Sequence, residues 1–123
     1  MQEKCSKVFT LFSIFDSPAR CLVQNVKQFN GEYGCNWCYA KGEQVERGLG
    51  TARVYPVQNE PSNKRTHDSM IADGLEASKE GRSSHKGVKG LSPLLAFTYF
   101  NMVSGFGVDY MHCVLLGVCL ATF

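Results

Sequence analysis

Residues 8–18 read VFTLFSIFDSP, and the rest of the chain is interpreted around them. The first eight of these residues are rich in β-branched and aromatic side chains and apolar at nearly every position. Such a run is typical of a strand covered on both faces in the middle of a mixed or parallel sheet. Ser17-Pro18 then matches an N-cap followed by the first helical position. The stretch therefore predicts a buried strand over 8–15 that ends at Asp16 and leads into a helix.

Apolar residues continue at helical spacing beyond this proline. They predict an amphipathic helix of about three turns, closed by Asn30-Gly31, whose inward face carries Ala19, Leu22, Val23, Val26 and Phe29. From residue 39 to 65 no period persists, and only 52–55 indicate a short strand. The sequence therefore predicts a long irregular stretch after the first helix.

Two further helices are predicted from capping signals. Thr66 or Asp68 can cap a helix that runs to Glu80. Ser92-Pro93 repeats the combination of cap and proline and predicts a helix through Phe100. With the strand that precedes them, these elements predict the α+β fold class.

Composition limits the classes of protein to which the chain can belong. Hydrophobic residues make up 44% of the 123 residues and charged residues 20%, which excludes wholesale disorder. The net charge of +2 is far below the positive excess of a dedicated nucleic-acid binder. The longest apolar run, 114–123, is about half as long as a membrane span requires, so no membrane partner is predicted.

Six cysteines are unusual in so short a chain. No secretory signal precedes them, because residues 1–7 are polar and the apolar run after them is too short. The sequence therefore predicts an intracellular chain with reduced cysteines, some of which hold metal. Secretion stays an alternative if the N-terminus is artificial. Four of the six fall mostly on apolar faces and are predicted to be ordinary core residues, namely Cys5, Cys21, Cys113 and Cys119.

Asp16 is the first candidate for chemistry. A carboxylate just past the C-terminal end of a buried strand lies where open α/β sheets keep their active sites. Such carboxylates hold divalent ions in two-metal phosphoryl-transfer sites. The alternative is that Asp16 only accepts hydrogen bonds from backbone amides at the start of the helix, although Ser17 is able to do the same.

Cys35 and Cys38 form a CxxC motif in a tight turn. This motif is the commonest half of a structural zinc site, because the turn brings both sulfurs to one face of the tetrahedron. A thioredoxin-type redox pair is a second interpretation, but such a pair usually opens a helix directly after a strand. A plain pair of buried thiols is the third.

The segment Asp109-Tyr110-Met111-His112 is the last cluster. Asp109 and His112 share one face of a helix at this spacing, and a neutral His112 is a good third zinc ligand. The alternative makes Asp109 an N-cap and His112 a half-buried, hydrogen-bonded side chain. His67 and His85 lie in polar stretches and are predicted to be exposed to solvent.

Taken together, several segments resemble the middle of a CACTA-like (En/Spm-type) DNA transposase. They occur in the order of that family and span nearly the whole chain. The segments are FDSPAR (15–20), QFNG (28–31), GCNWC (34–38), GVKG (87–90) with SPL (92–94), and VDYMH (108–112). Their specificity lies in the combination, since none is decisive alone.

The resemblance implies an RNase H-like catalytic core whose Asp-Asp-Glu triad binds two magnesium ions. Asp16 matches the second aspartate of the triad and would be catalytic, as a magnesium ligand. Cys35 and Cys38 match a structural zinc pair in an insertion that follows this aspartate. Asp109 and His112 match an aspartate–histidine element of the insertion, with His112 as the third zinc ligand.

The fold expected from the resemblance is a truncated RNase H-like fragment. Residues 1–34 would be a piece of the catalytic core and residues 35–123 the zinc-containing insertion. The family's first aspartate, its glutamate and a fourth zinc ligand have no counterpart here, because Glu3 precedes the strand and the chain stops at Phe123. The helix from Val114 also lacks the usual marks of a helix end. The chain is therefore expected to be a fragment, or a degenerate copy, that is inactive alone.

The function expected of the full-length protein is metal-dependent cleavage and transfer of DNA strands. Its partners would be transposon ends and target DNA in the nucleus, with a possible homo-oligomer. A basic loop with Arg82, Lys86 and Lys89 would contact phosphate weakly, unless it is only a solvated surface. The alternatives are a domesticated, non-catalytic zinc module that binds protein or DNA, and a thiol oxidoreductase built on Cys35 and Cys38.

Overall fold

The computed structural model describes residues 5–79 and 81–113, which contain four strands, two α-helices and one short 3-10 helix. In chain order these are β1 (Ser13–Phe15), α1 (Ser17–Gln24), β2 (Glu43–Arg47), β3 (Gly50–Val54), α2 (His67–Ala77), the 3-10 helix (Pro93–Ala96) and β4 (Phe106–Val108). The fold class is α+β, as the sequence predicts. None of the helices among these residues is long and apolar enough to cross a membrane.

The first and last strands, β1 and β4, pair in parallel. Ser13 lies opposite Phe106 and Phe15 opposite Val108. The amide of Ser13 also donates to the carbonyl of Gly105 at 2.8 Å. The pairing joins β1, in the predicted catalytic-core segment, to β4, in the predicted insertion. Both strands end at the same edge of the sheet.

The prediction of a long strand covered on both faces is wrong. Only Ser13–Phe15 is extended in a sheet, and Val8, Leu11 and Ile14 are all exposed, Val8 to 90%. An apolar sequence predicts that a strand can be buried, but burial requires neighbours on both faces. In the described part of the chain β4 is the one strand that pairs with β1.

Helix α1 begins one residue earlier and ends sooner than predicted. Asp16, rather than Ser17, is the N-cap, and its carboxylate accepts a hydrogen bond from Ala19 N at 2.8 Å. The helix ends at Gln24 because Asn25 adopts the left-handed conformation at φ 59°. Asparagine tolerates this conformation better than most residues.

The predicted inward face of α1 is also wrong in part. Leu22 is 75% exposed and Phe29 lies exposed beyond the helix, whereas Arg20, Cys21 and Gln24 are buried. Gln24 is held inside by hydrogen bonds rather than by apolar contact, as buried polar groups require. An apolar periodicity cannot reveal an inward face that is partly polar.

A two-stranded antiparallel hairpin occupies the stretch where the sequence predicts only a short strand. Strands β2 and β3 pair from Glu43 opposite Val54 to Arg47 opposite Gly50. Gly48 at the turn has φ 60°, a conformation that favours glycine. The hairpin has no buried face, so its sequence carries no alternation of apolar and polar residues.

Helix α2 confirms the predicted cap. The hydroxyl of Thr66 accepts from Ser69 N at 3.1 Å, and the hydroxyl of Ser69 accepts from Thr66 N at 2.9 Å. This reciprocal capping box fixes the start of the helix. The helix ends at Ala77, and Glu80 of the prediction lies outside the described residues.

The third predicted helix is only partly formed. Ser92 caps it as expected, since its hydroxyl accepts from Leu94 N at 3.1 Å. The 3-10 helix stops at Ala96 because Phe97 is extended, and the chain then turns so that Phe100 enters the core. The prediction of a helix through Phe100 is therefore too long.

The core holds β4 against both α-helices. Phe100 and Phe106 pack edge to face with ring centroids 5.1 Å apart. The buried cluster consists of Cys21, Val26, Met70, Val88, Phe100, Met102 and Phe106. Since Phe106 opens β4, this cluster positions the strand whose end carries Asp109.

Replacing Phe106 with Ala is expected to lower the free energy of unfolding by about 3–5 kcal/mol, because it removes a buried aromatic ring and leaves a cavity. Urea denaturation followed by circular dichroism measures this loss. The matched control is Leu49→Ala at the exposed hairpin turn, which should change stability by no more than about 0.5 kcal/mol. Equal losses in both variants would contradict the assigned core.

Candidate functional site

Asp16 and Asp109 each follow directly after a strand at the same end of the parallel sheet. Phe15 and Val108 are the last paired residues of β1 and β4, and each aspartate directly follows one of them. Adjacent strands run about 4.8 Å apart, so the backbones of the two aspartates follow at neighbouring positions of the sheet edge. The negative charge of Asp16 also contributes to raising the pKa of His112, which places it near the Asp109 end of the site.

The cap role considered for Asp16 is real. Its Oδ1 accepts the hydrogen bond from Ala19 N, which fixes the carboxylate at the start of α1. Its other oxygen has no hydrogen-bond donor among the described residues. The cap therefore orients Asp16 and leaves one oxygen for a ligand, so that structural and functional roles coexist on one side chain.

Asp109 and His112 form a close pair across one helical turn. Asp109 Oδ2 accepts from His112 Nδ1, and Oδ1 accepts from Met111 N at 3.0 Å. The bond to His112 lowers the pKa of Asp109, and the same bond raises the pKa of His112. A carboxylate can only accept, so Nδ1 is the donor and a neutral His112 keeps Nε2 for a metal.

The predicted cap at Asp109 is therefore confirmed, whereas His112 is not half-buried as that alternative supposed. Its side chain is 50% exposed and hydrogen-bonded. Cys113 N donates to the carbonyl of Asp109 at 3.0 Å, which closes one helical turn. The helix predicted from residue 114 onward lies outside the described residues.

A cavity of about 240 Å³ opens beside this pair. It lies between the start of α1, the turn that carries the CxxC motif and the segment after β4. Its lining consists of Ser17, Arg20, Trp37, Val108, Asp109, His112 and Cys113. The tertiary structure thus brings three segments of the family-like sequence to one small space.

Arg20 is the residue of this cavity that sequence reasoning missed. It is 7% exposed, and its guanidinium carbon lies 4.6 Å from the centroid of the Trp37 ring. Within the described ranges its guanidinium forms no ion pair or hydrogen bond, and Nε is buried without a partner. The available signal was its spacing of four residues from Gln24, which puts two polar side chains on one helix face.

The CxxC turn is held from beneath by Arg65. Arg65 Nε donates to the carbonyl of Cys35 at 3.0 Å and to that of Cys38 at 3.2 Å. Trp37 N donates to Cys35 Sγ at 3.4 Å. The two thiols are thereby presented together on one tight turn, as a zinc half-site requires.

The surroundings of Cys38 do not favour an activated redox pair. Burial raises the pKa of Cys38, and the hydrogen bond with Cys35 raises it further. A reactive thiol needs a lowered pKa, which makes the thiolate abundant at neutral pH. The five described cysteines form no disulfide with one another, and Cys5 and Cys113 are exposed rather than in the core as predicted. Cys21 is buried as predicted, and Cys119 lies outside the described residues.

The predicted zinc ligands are brought near one another without forming a complete site. His112 shares the cavity with Trp37, the residue between Cys35 and Cys38. Over residues 5–79 and 81–113, no three His, Cys, Asp or Glu side chains lie together in a way that could hold a metal ion. Cys35 and Cys38 therefore fit zinc as half of a site, and ligation by His112 stays a prediction.

The basic loop lies apart from the cavity. Arg82 pairs with Glu76 at 2.7 Å, and Lys86 lies over the Tyr39 ring with Nζ 5.4 Å from its centroid. Lys89 is exposed. None of these three basic side chains lines the cavity beside Asp109. Their predicted contact with DNA phosphate stays a prediction for a separate surface.

The prediction that His67 and His85 are exposed is wrong. Both are half-buried, because the stretches that carry them fold back onto the core. His67 Nδ1 accepts a hydrogen bond from Met102 N at 3.1 Å, and His85 Nε2 lies 3.7 Å from Asp73 Oδ1. Both side chains support the fold at a distance from the candidate site.

Comparison of the chain with protein-family models, with curated proteins and with solved structures finds no significant match. The interpretation of the site consequently depends on the geometry described above and on the resemblance of individual segments. The most informative part of that geometry is the neighbourhood of Asp16, Arg20, Asp109 and His112.

The Asp109–His112 pair predicts a pH dependence. The folded pKa of His112 is raised, so the pair stabilises the fold fully below the ordinary value of 6.5 and loses this contribution as pH rises through the folded pKa. NMR titration of the metal-free chain should show the raised value, and Asp109→Asn should return it toward 6.5. The control Asp68→Asn, at an exposed residue of α2, should leave the pKa of His112 raised, and an unchanged pKa in Asp109→Asn would contradict the contact.

Proposed function

We propose that this chain is part of a CACTA-like DNA transposase with an RNase H-like catalytic region. The observation that carries the proposal is the position of Asp16 and Asp109, which follow paired residues of two adjacent parallel strands. The order and extent of the family-like segments support it independently. The site after β1 and β4 would then be the place where a DNA phosphodiester is handled.

The chemistry of the two carboxylates supports this function. Carboxylate oxygens are the ligands that magnesium prefers, and the C-terminal edge of parallel strands is a usual place for such sites. When bound, magnesium would activate water and stabilise charge on the phosphate. Ala19 N orients Asp16, and Met111 N orients Asp109, so the protein itself sets the direction of both carboxylates.

The proposal gives Asp109 a role beyond the aspartate–histidine element. It would neighbour Asp16 at the phosphodiester while also fixing the orientation of His112. The family triad also needs a first aspartate and a glutamate, for which the sequence offers no matching segments. We therefore expect this chain by itself to leave DNA uncut, and to act in DNA cleavage and transfer only as part of the complete enzyme in the nucleus.

Zinc would have a structural role in the same protein. Arg65 presents Cys35 and Cys38 on one turn, and the Nδ1 bond to Asp109 leaves His112 Nε2 available. These contacts also favour the second candidate function, a non-catalytic zinc module that binds protein or DNA. The two candidates differ in whether Asp16 and Asp109 bind a divalent cation.

Binding of Mn²⁺ as a paramagnetic substitute for magnesium tests the proposed function. Mn²⁺ should broaden the NMR signals of residues 15–17 and 108–110 first, because these flank the two aspartates. Asp16→Asn and Asp109→Asn should each reduce this broadening about tenfold or more at equal Mn²⁺. Asp68→Asn is the matched control and should behave as the unsubstituted chain. Unchanged broadening in Asp16→Asn would favour the non-catalytic module.

Zinc content tests the structural role of the CxxC turn. The chain expressed with zinc should carry about one zinc per molecule, and Cys35→Ser or Cys38→Ser should lose it. His112→Ala should lower affinity strongly, since it removes one ligand. Cys5→Ser, at an exposed thiol, is the control and should retain the metal. A zinc ratio near zero in well-folded protein would remove the zinc assignment.

A further inference from the structure

We propose that Arg20 binds a phosphate group in the cavity beside Asp109. The inference rests on the proposed function for the source of that group, a phosphodiester of the DNA backbone. It adds a substrate-binding residue that neither the motifs nor the resemblance assigns. The proposed ligand of the cavity is thus a phosphate group.

The Arg20 side chain is buried and has no hydrogen-bond or ion-pair partner among the described residues. A guanidinium remains charged at any pH that a folded protein experiences, so burial cannot be relieved by loss of a proton. Arg20 is nine-tenths buried, and no carboxylate of the described residues lies within ion-pair distance of it. Arg65, the other arginine among the buried residues, has its side chain bonded to three carbonyls and lies 3.7 Å from Asp73. An anionic ligand would give Arg20 the compensation that Arg65 already has.

The position of the Arg20 guanidinium over Trp37 determines from which side a ligand can reach it. Its guanidinium carbon lies 4.6 Å from the centroid of the Trp37 ring, so the ring covers one side of the group and a ligand approaches its N–H groups from elsewhere. A guanidinium edge matches two oxygens of a phosphate and can bind both at once. Ser17, at the positive end of the α1 dipole, lines the same cavity and adds a hydroxyl.

A phosphate is proposed rather than a carboxylate-bearing ligand because the proposed function supplies a DNA phosphodiester at this site. Asp109 lines the cavity and disfavours an anion there unless a cation offsets its charge. Magnesium held by Asp16 and Asp109, when bound, would supply positive charge that offsets this repulsion. The volume of about 240 Å³ holds a phosphate group with space for water.

Trp37 provides a direct test because it is the single tryptophan of the chain. Its fluorescence should change saturably when inorganic phosphate, or a short single-stranded oligonucleotide, is titrated into the intact chain with Mg²⁺ present. Arg20→Lys should weaken binding about tenfold, since one bidentate contact is lost, and Arg20→Gln should weaken it further. Arg47→Gln, at an exposed arginine of the hairpin, is the matched control and should bind as the unsubstituted chain does.

A second measurement needs no variant and so remains valid if substitution of the buried Arg20 prevents folding. The Nε–H resonance of Arg20 in the unsubstituted chain should shift on addition of inorganic phosphate. Absence of this shift, or equal binding by Arg20→Gln, would overturn the proposal. A response to inorganic phosphate but none to the oligonucleotide would overturn the DNA source of the phosphate.

The test also separates this inference from the proposed function. Loss of Mn²⁺ binding in Asp16→Asn concerns the two carboxylates alone, whereas the response of Trp37 concerns Arg20. If the unsubstituted chain binds phosphate but not Mn²⁺, the result would support the Arg20 site and contradict the metal-dependent function. If the unsubstituted chain binds Mn²⁺ but the fluorescence of Trp37 does not respond to phosphate, the result would support the metal-dependent function and contradict the Arg20 site.

Discussion

The parallel pairing of β1 with β4 is the contact on which the candidate site depends. It is only three residues long on each strand, yet it sets the residues that directly precede Asp16 and Asp109 opposite each other. Strands this short need support from packing, and Phe106 supplies it by entering the core against Phe100. The site is therefore coupled to the core through a single strand, and a change that loosened this strand would separate the two carboxylates.

Polar side chains do much of the packing around this strand. Gln24 is 1% exposed and links α1 to the carbonyl of Met102 at 2.9 Å and to Asn36 at 2.6 Å. Asn36 lies between Cys35 and Trp37, so the same network connects α1 to the CxxC turn. Satisfied buried networks of this kind fix one arrangement of their elements, because any other leaves a polar group unpaired. The cavity between the turn and α1 keeps its shape for this reason.

Buried charges in the structure fall into two groups that differ in their partners. The Arg65 side chain donates hydrogen bonds to backbone carbonyls of the CxxC turn and of Lys86, which is a structural role. Arg20 stacks on Trp37 and has no such bonds among the described residues. Since burying a charge without compensation is costly, the contrast indicates a structural arginine and a ligand-binding one. Asp16 combines both roles, because one of its oxygens caps α1 while the other is left for a ligand.

The sequence by itself determined the local features: the strand that ends at Asp16, the caps at Thr66, Ser92 and Asp109, and the tight CxxC turn. These depend on neighbouring residues, so their signals are short-range and readable. Only the tertiary structure decided that Asp109 lies beside Asp16, that Arg20 rather than Leu22 faces inward, and that the hairpin β2–β3 exists. Strand partners and polar burial depend on residues far apart in the chain, and an apolar periodicity contains no information about either. For that reason the sequence shows Asp16 and Asp109 only as two separate residues. The structure shows that they follow two paired strands at one edge of the sheet.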